Sequence, residues 1–133
     1  MTQYLLDTNI CIYFLKGKFN LKSRIYNAGL TNCSIPEITV AELKYGAEKS
    51  QRPDENNTVI QNFITKFSII PIYPSLDLYA KEKSRLKKAG TIIDDYILIG
   101  ATAISNDMIL ITNNLSHLGR LNNIKIEDWT KNQ

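Results

Sequence analysis

The sequence predicts an α/β fold, a three-layer α/β/α domain around a mainly parallel central sheet, on two observations. Short apolar runs of strand length alternate with longer segments of helical spacing, the order that generates parallel sheets covered on both faces. The 133 residues also suffice for one real core, and no repeat, low-complexity stretch or interdomain linker divides them. Residues 1–133 are therefore expected to form a single domain.

The elements follow in order. Gln3–Leu6 is a short apolar run that stops at Asp7 and reads as a buried strand. Asn9 to Leu15 is apolar or aromatic at most positions and reads as a helix, broken by Lys16-Gly17-Lys18. Residues 20–28 form a short helix ended by Gly29, and Cys33-Ser34-Ile35-Pro36 a second strand. Thr39 then opens a helix running through Ala47, with Thr39 and Glu42 at capping-box spacing. Gln51–Asn57, polar and containing Pro53, is the most loop-like stretch. Val59, Ile60, Phe63, Ile64 and Phe67 recur at helical spacing. Ser68–Tyr73 reads as a strand interrupted by Pro71, and Ser75 as the cap of a helix over about Leu76–Ala89, ended by Gly90. Ile93–Ser105 is an apolar helix whose Gly100, Ala101 and Ala103 allow close packing. Met108–Thr112 is a clear strand, and Ile124–Ile126 a last short one before Trp129.

Composition narrows the function classes. With 44% hydrophobic and 22% charged residues the chain has a globular profile, and no apolar run reaches the ~18–20 residues of a membrane span. The opening residues lack the basic start and apolar core of a signal peptide, so a cytoplasmic location is expected. Cys11 and Cys33 belong to no CxxC or Cys/His cluster, which argues against structural zinc and for two small buried side chains. The net charge of +3 permits a polyanionic partner without demanding one. The helix bearing Lys81, Lys83, Arg85, Lys87 and Lys88 is the best local hint of a phosphate-binding surface, although such a run also serves as a solvated face.

Functional groups of parallel sheets gather beyond the carboxyl ends of strands. Asp7 and Asn114 follow strands, Glu42 lies in the first turn of its helix, and Asp94 and Asp95 open the long apolar helix. If these elements share one edge, carboxylates converge and require a cation. Oxygen donors without His or Cys favour Mg²⁺, with Mn²⁺ as a substitute. Each residue also has an ordinary structural use. Asp7 suits an Asx-turn with Asn9, Glu42 a capping box, Asp94 and Asp95 a helix N-terminus, and Asn114 a loop or N-cap. His117, the only histidine, has no evident neighbour to orient it. Tyr13 and Phe14 serve either core packing or an interface.

Taken together, the segments carry a resemblance. Tyr4-Leu5-Leu6-Asp7-Thr8-Asn9-Ile10, Thr39-Val40-Ala41-Glu42-Leu43-Lys44-Tyr45-Gly46-Ala47, Gly100-Ala101-Thr102-Ala103, Ile109-Leu110-Ile111-Thr112-Asn113-Asn114 and Ile126-Glu127-Asp128-Trp129 resemble, in order, the segments of VapC-like toxins of the PIN-domain ribonuclease family. The resemblance spans nearly the whole chain. It implies a PIN-like fold and a Mg²⁺-dependent endoribonuclease that cuts RNA, often tRNA. It also implies a cognate VapB-like antitoxin whose C-terminal segment obstructs the acidic site, and a homodimer. Carried over by position, Asp7, Glu42 and Asp95 hold metal, with Asp94 as the fallback for Asp95. Asn114 assists, and Thr8, Asn9 and Thr112 support the site.

One departure stands out. The family pattern has an Asp immediately before the run that here reads Ile97-Leu98-Ile99-Gly100-Ala101, and this chain has Tyr96 there. One residue fewer separates the acidic pair from the run, an offset that turns a helical side chain by about 100° and moves it ~1.5 Å. The alternative expectation is thus a PIN-fold protein with impaired catalysis that mainly binds antitoxin and RNA. Local chemistry alone also allows another metal-dependent phosphatase or nuclease. A Rossmann or P-loop protein is disfavoured, because no Gly-rich loop follows the first strand.

Overall fold

The structure, a computed structural model, describes residues 1–91 and 96–131. Strands β1 (Tyr4–Leu6), β2 (Cys33–Pro36), β3 (Ser68–Ile70), β4 (Ile109–Ile111) and β5 (Ile126–Glu127) form one sheet in the order β3-β2-β1-β4-β5. Every pairing is parallel, with Tyr4 beside both Cys33 and Ile109. The expected three-layer parallel architecture is what the chain adopts.

Strand alternation makes the layers. Leu6 and Ile111 point into one apolar cluster, with Ile10, Ile25, Leu43 and Phe63 from the helices on that face. Leu5 and Leu110, their neighbours in sequence, point into the other, with Leu86, Ile97, Ile99 and Leu118. Successive strand side chains face opposite ways, so a central strand of a doubly covered sheet must be apolar throughout. Leu5, Leu6, Leu110 and Ile111 are all fully buried, each contributing roughly 1.5–3 kcal/mol of burial energy.

Helices α1 (Thr8–Leu15), α2 (Leu21–Ala28), α3 (Glu37–Glu48) and α4 (Pro53–Ile64) supply the first face; α5 (Leu76–Lys88), α6 (Tyr96–Ser105) and α7 (Leu115–Leu118) the second. Gly29 ends α2 at φ 96°, a conformation an L side chain resists. The start of the Ile93–Ser105 helix falls outside the described residues.

Four expectations need correction. Helix α3 begins at Glu37, with Pro36 at the N-cap, so Thr39 lies inside its first turn and forms no capping box with Glu42. The stretch read as loop carries the start of α4. Pro53 sits in its first turn, where a missing N–H costs nothing, and Asp54 and Glu55 follow where the helix dipole favours acids. The apolar periodicity there overreaches, since Val59 is exposed and Phe67 lies beyond the helix. Strand β3 stops at Ile70, before Pro71. Ser75 occupies the N-cap of α5 but makes no capping hydrogen bond.

Candidate active site

Strand order reverses at β1: β2 and β3 lie to one side, β4 and β5 to the other. The crevice beyond the carboxyl ends of β1 and β4 is where such sheets place their ligands. Asp7 immediately follows β1, and its N–H donates to the carbonyl of Ile111 at the end of β4, 3.0 Å away. Its side chain is 6% exposed and takes two hydrogen bonds: the Thr8 N–H donates to Oδ1 at 2.7 Å, and the Thr112 hydroxyl to Oδ2 at 2.7 Å. Asp7 thus caps α1, but through Thr8 rather than in an Asx-turn with Asn9. Burial pushes its carboxyl pKa above the usual value, and the bonds from Thr112 and Thr8 oppose that rise. An ionised Asp7 consequently invites a cation.

A chain of hydroxyls extends the site. Thr112 Oγ1 also accepts from the Asn114 N–H at 3.0 Å, so one side chain fixes both Asp7 after β1 and Asn114 after β4. On the other flank, the Thr8 hydroxyl donates to Glu42 Oε1 at 3.0 Å and lies 2.9 Å from the hydroxyl of the fully buried Thr39. Thr39 and Glu42, one helical turn apart on α3, both meet Thr8 of α1. The family-like placement of Glu42 therefore comes from packing between α1 and α3, not from a helix cap.

Asp7, Thr8, Asn9, Glu42, Tyr96 and Asn114 line one cleft of about 310 Å³, floored in part by Ile99. The structure brings together Asp7, Glu42 and Asn114, with Thr8, Asn9 and Thr112 beside them. Asp94 and Asp95 lie outside the described residues. Among the described residues, no group of three His, Cys, Asp or Glu side chains converges. The donors present still suit Mg²⁺, which accepts one or two carboxylates and keeps several waters. Away from the cleft, ion pairs join Arg52 to Glu55, Arg85 to Glu82 and Lys125 to Asp107. Cys11 is buried beneath the site, and burial, together with the Asp7 charge, pushes its thiol pKa far up.

Three site features escaped sequence reasoning. Thr39 ties into the hydroxyl chain. Tyr96, standing in the acid's slot, lines the cleft. His117 does have an orienting neighbour: its Nδ1 lies 2.6 Å from Tyr96 Oη, and the two rings meet edge-on with centroids 5.3 Å apart. Only the unusual Tyr96 gave a sequence signal. Of the aromatic residues with two readings, Phe14 packs on Phe63 and Tyr13 on Phe19, both against the core. A second cleft, of about 350 Å³, runs between α1, α3 and α4 along Ile12, Leu15, Leu43, Val59 and Ile60, and shares Glu42 with the first.

Comparison with known proteins agrees with this fold. Residues 4–121 match the family described as "PIN domain". The chain is 38% identical to "Ribonuclease VapC2" of Haemophilus influenzae strain Rd, over 97% of this chain and 99% of that protein. It is 33% identical to "tRNA(fMet)-specific endonuclease VapC" of Salmonella typhimurium, over 97% and 99%. Among solved structures, a chain of DNA-bound VapBC from Salmonella typhimurium superposes with a TM-score of 0.90 at 32% identity, covering 97% of this chain and 99% of that one.

Proposed function

The chain belongs to the PIN-domain family, in its VapC branch, and on that premise we propose that it is a metal-dependent endoribonuclease, the toxin of a type II toxin–antitoxin pair. The observation that carries this reading is the cleft in which Asp7, Glu42 and Asn114 converge at the carboxyl ends of β1 and β4. Structured RNA, and tRNA first, is the proposed substrate, a choice supported by the name of the Salmonella relative.

Asp7 and Glu42 are the residues that would hold Mg²⁺, with Mn²⁺ as a substitute, and Asp95, or Asp94 in its place, would complete the set. A bound ion of this kind supplies an activated water and offsets charge on the phosphoryl oxygens. The chain's own residues do the rest. Thr112 and the Thr8 N–H hold the Asp7 carboxylate in one orientation, and Thr8 does the same for Glu42. Asn114, whose amide both donates and accepts, orients water or phosphate at the cleft mouth. Cleavage by an activated water needs no protein nucleophile, and the Thr8 hydroxyl in the cleft is committed to Thr39 and Glu42.

The proposed partner is a VapB-like antitoxin, as in the VapBC assemblies of similar chains. Its segment would occupy the apolar cleft between α1, α3 and α4 and, through the shared wall at Glu42, cover the acidic site. A homodimer in the cytoplasm completes the reading. Among the described residues, no helix is long and apolar enough to cross a membrane.

Tyr96 favours a second reading, a PIN fold of impaired catalysis that mainly binds antitoxin and RNA. It occupies the cleft wall where the family pattern has an Asp. Purified protein incubated with total tRNA, with Mg²⁺, Mn²⁺ or EDTA, separates the two. Discrete fragments that need metal support the nuclease, and fragments unchanged by EDTA overturn it. If the folded protein cuts nothing, the second reading holds, and an Asp inserted between Tyr96 and Ile97 should then raise cleavage sharply.

A further inference from the structure

Helix α7 is short, yet its position is tightly fixed. Asn114, its N-cap residue, is held by the Thr112 hydroxyl that also grips Asp7. Leu118 is fully buried, and Leu118 with Leu121 closes onto Gly100 of α6. A Cβ at position 100 would lie 2.2 Å from Leu121 Cδ1 and 3.1 Å from Leu118 Cδ2, so a larger residue would require these leucine side chains to shift. Tyr96 lies one helical turn before Gly100 and faces the same neighbour. The docking that Gly100 permits therefore sets His117 of α7 against Tyr96 at the rim of the acidic cleft.

The contact has consequences for the imidazole. Tyr96 Oη and His117 Nδ1 are 2.6 Å apart. A phenol donating to Nδ1 leaves the ring proton on Nε2. Nε2 has no partner among the described residues, and His117 is exposed. A histidine whose ring is held by Tyr96, and whose outward nitrogen carries the proton when the phenol is the donor, is suited to meet an anion that the carboxylates of the adjoining cleft would repel.

We propose that His117 is a substrate-binding residue whose Nε2–H donates to a phosphate oxygen of the RNA strand entering the cleft, and that Tyr96 is its positioning residue. This rests on the endoribonuclease reading and extends it. The residue in the family's acid slot then serves to orient the strand.

The test uses fluorescence anisotropy with labelled unfractionated tRNA and full-length protein carrying Asp7→Asn, which prevents cleavage. Adding His117→Ala should weaken binding about tenfold, the usual effect of losing a hydrogen bond to a charged group. His117→Gln, which keeps a donor at similar reach, should restore binding to within about threefold of the parent. In protein with Asp7 intact, Tyr96→Phe should raise KM about threefold and leave kcat unchanged, as loss of uniform binding does. Equal tRNA affinity of the Ala variant and its parent overturns the inference alone, as do equally weak Ala and Gln variants. A parent that binds no tRNA overturns the inference and the nuclease reading together.

Discussion

The two walls of the acidic cleft are built on different principles. The wall from β1, α1, α3 and β4 is closed upon itself: buried Asp7, Thr8, Thr39 and Thr112 and the more exposed Glu42 exchange hydrogen bonds of 2.7–3.0 Å. The wall from α6 and α7 is open, with Tyr96 half-buried and Leu115 and His117 exposed, and the hydrogen bond between Tyr96 and His117 joins the two helices. Carboxylates that hold a cation must be prevented from turning, and only a saturated network in a dry setting does that. A surface that receives a polymer must stay accessible. The comparison teaches that fixity and access are assigned to opposite sides of the same cleft.

The largest expected effect breaks the rigid wall at its centre. Asp7→Asn should reduce metal-dependent cleavage of tRNA to background on a gel while the protein stays folded. Mg²⁺ at about 100 times its Kd should stabilise the parent by about 2.7 kcal/mol in a thermal melt and leave Asp7→Asn unmoved. A variant that melts higher with Mg²⁺ as the parent does would remove Asp7 from the metal set. Next comes Thr112→Val, which preserves shape and removes the hydroxyl that both Asp7 and Asn114 use. Loss of such an orienting partner should lower metal affinity or activity about 10–100-fold, read by titrating Mg²⁺ against cleavage rate. An unaltered Mg²⁺ dependence would mean that the network is incidental.

Two smaller effects sharpen the contrast through stability. Gly100→Ala should cost about 1–3 kcal/mol in denaturant unfolding, because Leu118 and Leu121 must move. It should disturb the open wall and spare Mg²⁺ binding by the closed one. The smallest concerns pH. Burial raises the Asp7 pKa above its ordinary 3.8, so the folded chain holds that proton more tightly than the unfolded chain. The resulting stability is fully present below 3.8 and is lost as pH rises through the folded-state value. Without metal, Asp7→Asn should therefore melt higher than the parent at pH 7, with the gap closing toward pH 4. A gap that widens on acidification would contradict the burial argument.

Much of this was legible in the sequence, and the remainder has a physical reason. Strands read well, because Leu5-Leu6 and Leu110-Ile111 must be apolar on both faces wherever they sit. Asp7 and Asn114 read well because a polar residue that ends such a run falls at the sheet's edge. Thr39 and Glu42 misled: their spacing suits a capping box equally well, and only the approach of α1 reveals Thr8 as their shared partner. The polar start of α4 looked like loop because it buries little, although Pro53 followed by two acids is itself a helix-start signal. The Tyr96–His117 contact joins residues 21 positions apart; Gly100 signalled close packing, but no local pattern encodes that Leu118 and Leu121 are what approaches it.

Cys11 gives the closed wall a built-in clock. The thiol lies fully buried one helical turn after Asp7, and its ionisation is suppressed by burial and then by that charge. Cys33, on the adjacent strand, is pushed up to about 11 by burial. Neither sulfur is reactive while the native packing holds, since the thiolate is the nucleophile. An alkylating reagent can therefore register only molecules whose β1–α1 junction has opened, and labelling rates convert to local opening free energies. With metal or a protein partner bound, slower labelling of Cys11 would report how tightly the β1–α1 junction is latched, without any substrate being turned over.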